Sequence, residues 1–379
     1  MWRKVQKPTF GVSFEIMFIS QVIEILEQWA SPSLQESYDN SGLITGNPQQ
    51  EFKGAVICLD STEAIVNEAI EKNYNLIIAH HPIVFSGLKS FTGKTYVERT
   101  IMKAIKNDIS IYAIHTNLDN VATGVNFEIA NRLGLENIKI LEPKRGFLHK
   151  MVTYVPESHL ESVRQAVFKA GGGNIGNYIE CSFSTPGTGT FLPNENTTPF
   201  SGKRGERSYE AELRLEILVE SWNSSAVLSA LKAAHPYEEV AYEIYKTENS
   251  HQSLGSGMIG DFKEPIHAED FLKLVKSVFG GMIRFTSPSV DKIRKVALCG
   301  GSGSFLLEKA ISAGADCFLS SDFKYHQFFD GLERLMIVDI GHFEGEQFTM
   351  NLIHKYLNEK FPNFAAQLTV NSTNPIHYF

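Results

Sequence analysis

The chain has 379 residues, of which 43% are hydrophobic and 21% charged, and this composition excludes collagen-like, low-complexity and wholly disordered proteins. At roughly 150 residues per domain, the length predicts two or three domains. The net charge is −8, and no run of Lys and Arg offers the basic surface that nucleic-acid binding usually needs.

The cysteines and the apolar segments indicate the cellular location of the protein. The four cysteines form no Cys-x-x-Cys pair, so we expect neither a disulfide framework nor a thiolate zinc site, and a cytoplasmic location fits best. No apolar stretch reaches the roughly 18 residues of a membrane span, which argues against a membrane partner. A helical pattern starts at Met17, so residues 1–16 are interpreted as a leader or an extension from an upstream start.

Short apolar runs alternate with helical patterns from residue 51 onward, which predicts βα units and a largely parallel sheet. In the first region the predicted strands and helices, in chain order, are 55–59, 63–72, 76–79, 96–106 and 109–114. The alternation returns near the C-terminus, where the predicted elements are 295–299, 305–313, 317–319 and 335–340. Both regions carry His-x-x-x-acid after their third strand, so we interpret them as a duplication that forms a single site between two halves.

The segment between these two regions has a different texture. Its predicted strands and helices are 152–155, 157–170, 211–219, 226–234 and 240–245, an order that suits an inserted βαββαβ ferredoxin-like domain. Residues 184–206 are rich in Gly and Pro and are expected to form loops. The predicted fold class is therefore α/β, with a duplicated βα-unit domain of largely parallel sheets and an inserted α+β domain, and its predicted parts are 17–147, 148–250 and 251–379.

Adjacent histidines follow the second predicted strand. His80 and His81 come directly after residues 76–79 and before Pro82, where open α/β sheets bind ligands. Neighbouring side chains on an extended backbone point to opposite sides, which suits two metal ions better than one. The alternative is a surface histidine pair.

Imidazole and carboxylate groups also follow the later strands. His115 and Asp119, like His342 and Glu346, are four residues apart, a spacing that puts both side chains on one face of a helix. Asn117 and Asp119 have an alternative role as helix caps.

A further pair, Asp322 and His326, stands after residues 317–319. These two are candidates for metal ligands, for groups that orient ligands, or for a proton-transfer pair; the alternative for Asp322 is helix capping. Together the histidines and carboxylates form the ligand set of zinc, iron, manganese or nickel, and the number of groups is sufficient for two divalent ions, with Glu346 able to bridge them.

Five motifs resemble the Nif-three-like family, whose members are named GTP cyclohydrolase 1 type 2 homologues. These motifs are Glu36–Leu43, Ala79–Pro82, His115–Asp119, Ser321–His326 and Gly341–Glu346. The resemblance covers nearly the whole chain. Residues 148–250 are similar to the insertion of longer bacterial members, a domain of the PII and CutA group, and here the signature segments are Gly171–Asn177 and His235–Glu239.

The resemblance implies roles for particular residues. The metal ligands would be His80, His81, Asp119, His342 and Glu346, with Glu346 bridging. It would also place His115 and His326 on the substrate side, and imply self-association as a toroidal homohexamer.

Two functions remain open at this stage. The first is a dinuclear metal-dependent hydrolase of a nucleotide or related small molecule, with His115 and His326 moving protons and Asp39 and Asn40 lining the cleft or forming a turn. The segment Gly300–Ser304 is the candidate phosphate cradle, with a tight structural turn as the alternative. The second is a non-catalytic regulator or metal-handling protein whose inserted domain senses a ligand or recruits a partner.

Overall fold

The structure, a computed structural model, describes residues 16–361 and 364–378. The proposed N-terminal extension, residues 1–16, lies outside the described residues except for Ile16. The strands of the described residues are β1 Gly42–Thr45, β2 Ala55–Cys58, β3 Leu76–Ala79, β4 Ser110–Ala113, β5 Glu136–Arg145, β6 Leu148–Pro156, β7 Ser182–Phe191, β8 Ser208–Glu220, β9 Tyr242–Lys246, β10 Ser250–His267, β11 Arg284–Phe285, β12 Lys292–Ser302, β13 Cys317–Ser321, β14 Met336–Asp339 and β15 Ala366–Leu368.

The helices account for most of the remaining regular structure. The α-helices of the described residues are α1 Ile19–Trp29, α2 Glu63–Glu71, α3 Tyr96–Lys106, α4 Thr116–Asp119, α5 Val125–Arg132, α6 Leu160–Lys169, α7 Ser224–Ala234, α8 Ala268–Phe279, α9 Leu307–Ser312, α10 Gln327–Asp330, α11 His342–Glu346 and α12 Thr349–Lys360. Over the described ranges, no helix combines the length and the hydropathy that crossing a bilayer requires.

The chain divides into two compact units. The first contains the described residues up to Leu118 and those from Glu346 onward, and the second is Asp119–Gly345. The three-part division at residues 148 and 250 stays a prediction.

The first unit is built on a five-stranded sheet with the order β1-β4-β3-β2-β15. Strands β2, β3, β4 and β15 run parallel, and only the edge strand β1 is antiparallel to its neighbour. Every residue of β2, β3 and β4 is buried, as expected for parallel strands covered on both faces. The apolar sides of α2 and α3 contribute Ile65, Val66 and Ile101 to this core.

The second unit contains a six-stranded sheet with the order β11-β14-β13-β12-β10-β5. Its centre, β12 to β14, is parallel, whereas β11, β10 and β5 pair in the antiparallel sense. Each unit therefore contains three neighbouring parallel strands linked by helices. The predicted α/β class is confirmed, with antiparallel strands flanking the parallel ones.

A second sheet in this unit has the order β7-β8-β6-β9 and is antiparallel throughout. In chain order its elements are β6, α6, β7, β8, α7 and β9, which is the βαββαβ order expected for this segment. One face of the sheet and the two helices bury their own apolar cluster, which includes Val155, Val163, Leu215 and Val227.

One expectation about this segment is wrong. Residues 184–191 belong to strand β7 and not to a loop, although they include Pro186, Gly187 and Gly189. Among the described strands β7 is at the sheet edge and pairs with β8 alone, and an edge strand is where a proline is tolerated. The threonines between these breakers favour extended backbone.

Gly46, the residue after strand β1, allows the backbone to approach Ser110 of β4 closely. A Cβ atom on Gly46 would lie 2.1 Å from Ser110 Oγ and 2.6 Å from Ser110 Cα, whereas one on Gly42 would meet nothing within 4 Å. The φ angles are similar, +119° at Gly46 and +115° at Gly42. A side chain at either position would therefore impose similar backbone strain, but only one at Gly46 would collide with Ser110.

We predict that Gly46→Ala lowers the free energy of unfolding by about 1–3 kcal/mol more than Gly42→Ala, because only the first must displace backbone. Urea denaturation of both variants measures the difference. Equal losses would mean that the contact between β1 and β4 opens without cost.

Candidate metal centre

Three neighbouring parallel strands bring polar side chains to one edge of the first sheet. Asp60 lies two residues after β2, His80 and His81 directly follow β3, and His115 lies two residues after β4. Backbone bonds continue the ladder past the strands: His80 N donates to Cys58 O and His81 N to Leu59 O, at 3.1 and 2.9 Å. The histidine backbones are thus fixed by the sheet.

His80 is fully buried, and its ring orientation is set by the backbone. Its Nδ1 lies 2.8 Å from the carbonyl oxygen of Ile114. Because a carbonyl only accepts, Nδ1 carries the proton and the neutral ring presents the Nε2 lone pair. This is the form in which histidine binds a metal ion.

His81 lies between two carboxylates. Its Nδ1 is 2.7 Å from Asp60 Oδ1 and its Nε2 is 2.9 Å from Glu346 Oε2. The same Glu346 oxygen lies 3.9 Å from His80 Nε2, so one buried carboxylate oxygen faces both histidines. Thr373 donates to the other oxygen of Asp60 at 2.8 Å.

The charge of this arrangement favours an imidazolium when no metal competes. Burial lowers the pKa of His81, but the hydrogen bonds and negative charges of Asp60 and Glu346 outweigh it and raise that pKa to about 9. A divalent cation at Nε2 would replace the proton and supply the positive charge that the two carboxylates attract.

Asp39 orients the ring of His115. Its Nδ1 lies 2.8 Å from Asp39 Oδ1, so here too Nδ1 is the donor. The Asp39 carboxylate also accepts from the Asn40 and Thr116 amides and from the Ser41 and Thr116 hydroxyls. Burial acts to raise the pKa of Asp39, but the hydrogen bonds and charge of His115, with the other donors, hold it well below its usual range.

Ligand-type atoms of His80, His81 and His115 lie within 4.8 Å of one another. With Glu346 beside two of these rings, the first unit presents imidazole nitrogens and a carboxylate at distances that a metal ion can span after small adjustments. The donors are nitrogen and oxygen without thiolate, which suits zinc, iron or manganese. The residues therefore fit a divalent metal ion.

The second unit repeats the histidine–carboxylate pairing. His342 Nδ1 lies 2.6 Å from Asp322 Oδ2, and Asp322 also accepts from the Ser302 hydroxyl. Asp322 adopts a left-handed backbone at φ +61°, directly after β13. These contacts favour the prediction that Asp322 orients a ligand, here His342, over the helix-cap alternative.

Two short helices carry the remaining predicted ligands. His342 and Glu346 are the first and last residues of α11, which confirms the helical spacing expected for them. Asp119 is the last residue of α4, four positions after His115. Within α4, Asn117 accepts from the His115 amide at 2.8 Å, and the capping role that the sequence offers Asn117 and Asp119 stays a prediction.

Two other predicted residues have contacts of their own. His326 is exposed before α10, where its ring contacts Tyr325 and Phe329 at centroid distances of 5.3 and 6.3 Å. Asn40 donates through Nδ2 to the carbonyl of Val84 at 2.6 Å. The roles assigned to both residues from the sequence stay predictions.

The glycine-rich segment Gly300–Ser304 forms a turn that is hydrogen-bonded to Ser320. Ser320 Oγ accepts from Gly303 N at 2.9 Å and donates to Gly301 O at 3.0 Å. A Cβ on Gly303 would lie 2.4 Å from that hydroxyl oxygen. This geometry supports the tight-turn interpretation over the phosphate cradle.

Sequence reasoning missed Asp60 and Thr373 as parts of the site. The signal for Asp60 was available, because it stands as a lone carboxylate just past β2, at the same sheet edge as the histidines. No sequence signal marks Thr373, which is 313 positions away from Asp60.

An α/β protein with oriented histidines and a buried carboxylate at the carboxyl edge of a parallel sheet is a candidate metal-binding protein. The profile of the Duf34/NIF3 (NGG1p interacting factor 3) family matches residues 17–375. The chain belongs to this family, and the resemblance inferred from its motifs is confirmed.

Curated relatives cover most or all of the chain. A Halalkalibacterium halodurans protein named GTP cyclohydrolase 1 type 2 homolog is 42% identical over 324 residues, which are 85% of this chain and 87% of the relative. A Staphylococcus epidermidis protein of the same name is 33% identical over 371 residues, 96% of this chain and 100% of the relative.

Solved structures show the same fold. A Bacillus cereus protein related to NIF3 has a TM-score of 0.83 at 35% identity and covers 96% of this chain and 100% of its own. A Staphylococcus aureus protein, SA1388, has a TM-score of 0.77 at 29% identity and covers 97% of this chain and 100% of its own.

The raised pKa of His81 predicts a pH dependence of the metal-free protein. A pKa raised from about 6.5 in the unfolded chain contributes stability that is fully present below pH 6.5 and lost as the pH rises through about 9. NMR titration of the metal-free protein should place the His81 midpoint near 9, and Asp60→Asn should lower it. An unchanged midpoint in Asp60→Asn would contradict the assigned cause.

Proposed function

We propose that the protein is a metal-dependent hydrolase with two divalent ions, acting on a nucleotide or a related small molecule. The proposal rests on the orientation of two histidines: His80 and His81 both direct Nδ1 to oxygen acceptors and present Nε2 to the same Glu346 oxygen, with His115 close to both rings. Structural histidines need no shared orientation, whereas metal ligands do.

The proposed ligands are those that the family resemblance implies. They are His80, His81, Asp119, His342 and Glu346, and zinc, iron or manganese is the expected metal. When bound, such ions lower the pKa of a coordinated water toward roughly 7 and so supply a nucleophile at neutral pH.

The chain supplies proton transfer and orientation. His115, with Nδ1–H anchored on Asp39, presents Nε2 as a base of fixed direction. His326 is proposed as a second proton-transfer group, and Asp39 as a positioning residue. The name of the relatives makes GTP the first substrate to test.

The metal content of the purified protein tests the proposal directly. Protein purified without chelator or metal-binding tag should carry about two ions per chain by elemental mass spectrometry. His81→Ala and Glu346→Gln should each lose at least one ion, since each removes a ligand.

His354→Ala is the matched control, because this half-buried histidine of α12 contacts Asn358 and not the cluster. A wild type that stays empty after incubation with zinc, iron and manganese would refute the proposal, as would full occupancy and full turnover in Glu346→Gln.

A second candidate is a non-catalytic regulator or metal-handling protein whose inserted segment senses a ligand or recruits a partner. The observation in its favour is that residues 148–246 form a sheet and an apolar cluster of their own. The segment also leaves and re-enters at adjacent points, because Arg145 of β5 pairs with Ser250 of β10.

Deleting residues 147–248 separates the two candidates. The deletion joins Gly146 to Asn249 between the paired residues Arg145 and Ser250, and Gly-Asn suits a two-residue hairpin loop. For a hydrolase whose chemistry is in the remaining chain, metal content should be unchanged and kcat should stay within about threefold.

If the deleted chain kept its metal but lost turnover, the proposal that the remaining chain carries the chemistry would be contradicted. Failure of both full-length and deleted chains to act on GTP or any nucleotide tested, together with a specific bound partner, would favour the regulator. Assembly as a toroidal homohexamer and a cytoplasmic location remain proposals; light scattering tests the first.

A further inference from the structure

The inserted segment contains a cavity of about 730 Å³ whose lining residues fall between Tyr154 and Ala241. This volume lies within the range of about 300–1,000 Å³ that is typical of small-molecule sites. Its floor includes Tyr154 and Arg214, which are paired across β6 and β8. The walls are β7, the loop that follows it and the segment after α7.

The walls are largely aromatic and apolar. Phe191 and Phe200 lie with ring centroids 6.5 and 5.9 Å from the Tyr237 ring. Leu192 and Pro193 extend the same surface. Phe200 remains 52% exposed, so much of its apolar surface is open to a ligand.

The charged groups of the lining are mainly acidic. Glu212, Glu238 and Glu239 line the cavity, and Arg214 is the basic residue among its lining residues. The Arg214 guanidinium is paired with Glu216 at 3.0 Å, which leaves the three carboxylates uncompensated by a cation of the lining. The cavity therefore favours positive charge.

The Glu212 carboxylate is held in place. Tyr237 donates its hydroxyl hydrogen to Glu212 Oε1 at 2.7 Å; burial and the Glu212 carboxylate both raise the pKa of Tyr237, which keeps it a donor. A Cβ on Gly189 would lie 2.1 Å from Glu212 Oε2, so the glycine makes room for this oxygen.

We propose that this cavity is a binding site for an organic cation, an amine with a hydrophobic body. Carboxylates beside aromatic faces recognise such ligands by charge and by cation–π attraction. The ammonium group is assigned to Glu212 and the face of Tyr237, and the body to Phe191 and Phe200. The site does not depend on turnover at the metal centre.

The test uses the full-length, metal-loaded chain and three probes with related skeletons: 2-phenylethylammonium, the neutral 2-phenylethanol and the anion 3-phenylpropionate. Isothermal titration calorimetry should show the cation binding at least about tenfold more tightly than the alcohol, and the anion most weakly. Equal affinities, preference for the anion, or absence of binding would overturn the proposal.

Two variant pairs locate the binding. Glu212→Gln should cut the affinity for the cation by about tenfold and leave the alcohol unchanged, because it keeps the shape and removes the charge. Glu161→Gln is its control, since this exposed α6 carboxylate pairs with Arg164. Equal losses in both variants would indicate a general charge effect and refute the assignment.

The second pair changes position and not charge. Gly189→Ala should weaken the binding of the cation, because its Cβ displaces the Glu212 carboxylate. Gly187→Ala should leave the affinity unchanged, because a Cβ there meets nothing within 4 Å. Removing the metal should leave the affinity unchanged; a loss would place the probe at the metal cluster. If Phe200→Glu changed oligomeric state while no probe bound, the cavity would be a contact between copies, which would also overturn the proposal.

Discussion

The parallel pairing of β2, β3 and β4 is the constraint on which the candidate metal centre of the first unit depends. Every residue of these strands is buried, so a shift in register would draw the polar residues at their ends into the core and break the ladder. Because parallel strands end at one edge, Asp60, His80, His81 and His115 are delivered to the same place. The histidines are thus fixed by the hydrophobic core before any metal binds.

A second layer of contacts orients the rings. The acceptor of each Nδ1 is different, a backbone carbonyl for His80 and the carboxylates of Asp60, Asp39 and Asp322 for His81, His115 and His342. In each ring, Nε2 is the nitrogen that points away from this acceptor. In the first unit, burial of His80, His81 and Glu346 costs desolvation, and a bound cation would offset that cost.

Residues 148–246 keep their apolar core and the proposed cavity on opposite faces of one sheet. Their helices cover one face of the antiparallel sheet, and Val155, Leu215 and Val227 are buried there. Residues of the alternate positions, such as Glu212 and Arg214, line the cavity on the other face. The two-residue period of the strands thus separates the core from the proposed binding surface, so that substitutions in the cavity need not unfold the domain.

Local sequence patterns predicted most of the strands and helices and the functional groups available to the site. The apolar run of β3 predicted a buried strand with His80 and His81 at its end, and the spacing of His342 and Glu346 predicted a helix. These patterns did not reveal that Pro186 lies in an edge strand, or which oxygen orients each ring. His81 and Glu346 are 265 positions apart, and Asp39 and His115 are 76 apart. No local pattern predicts these contacts, because they depend on which strands pair and in which register, whereas periodicity reports the burial of one segment at a time.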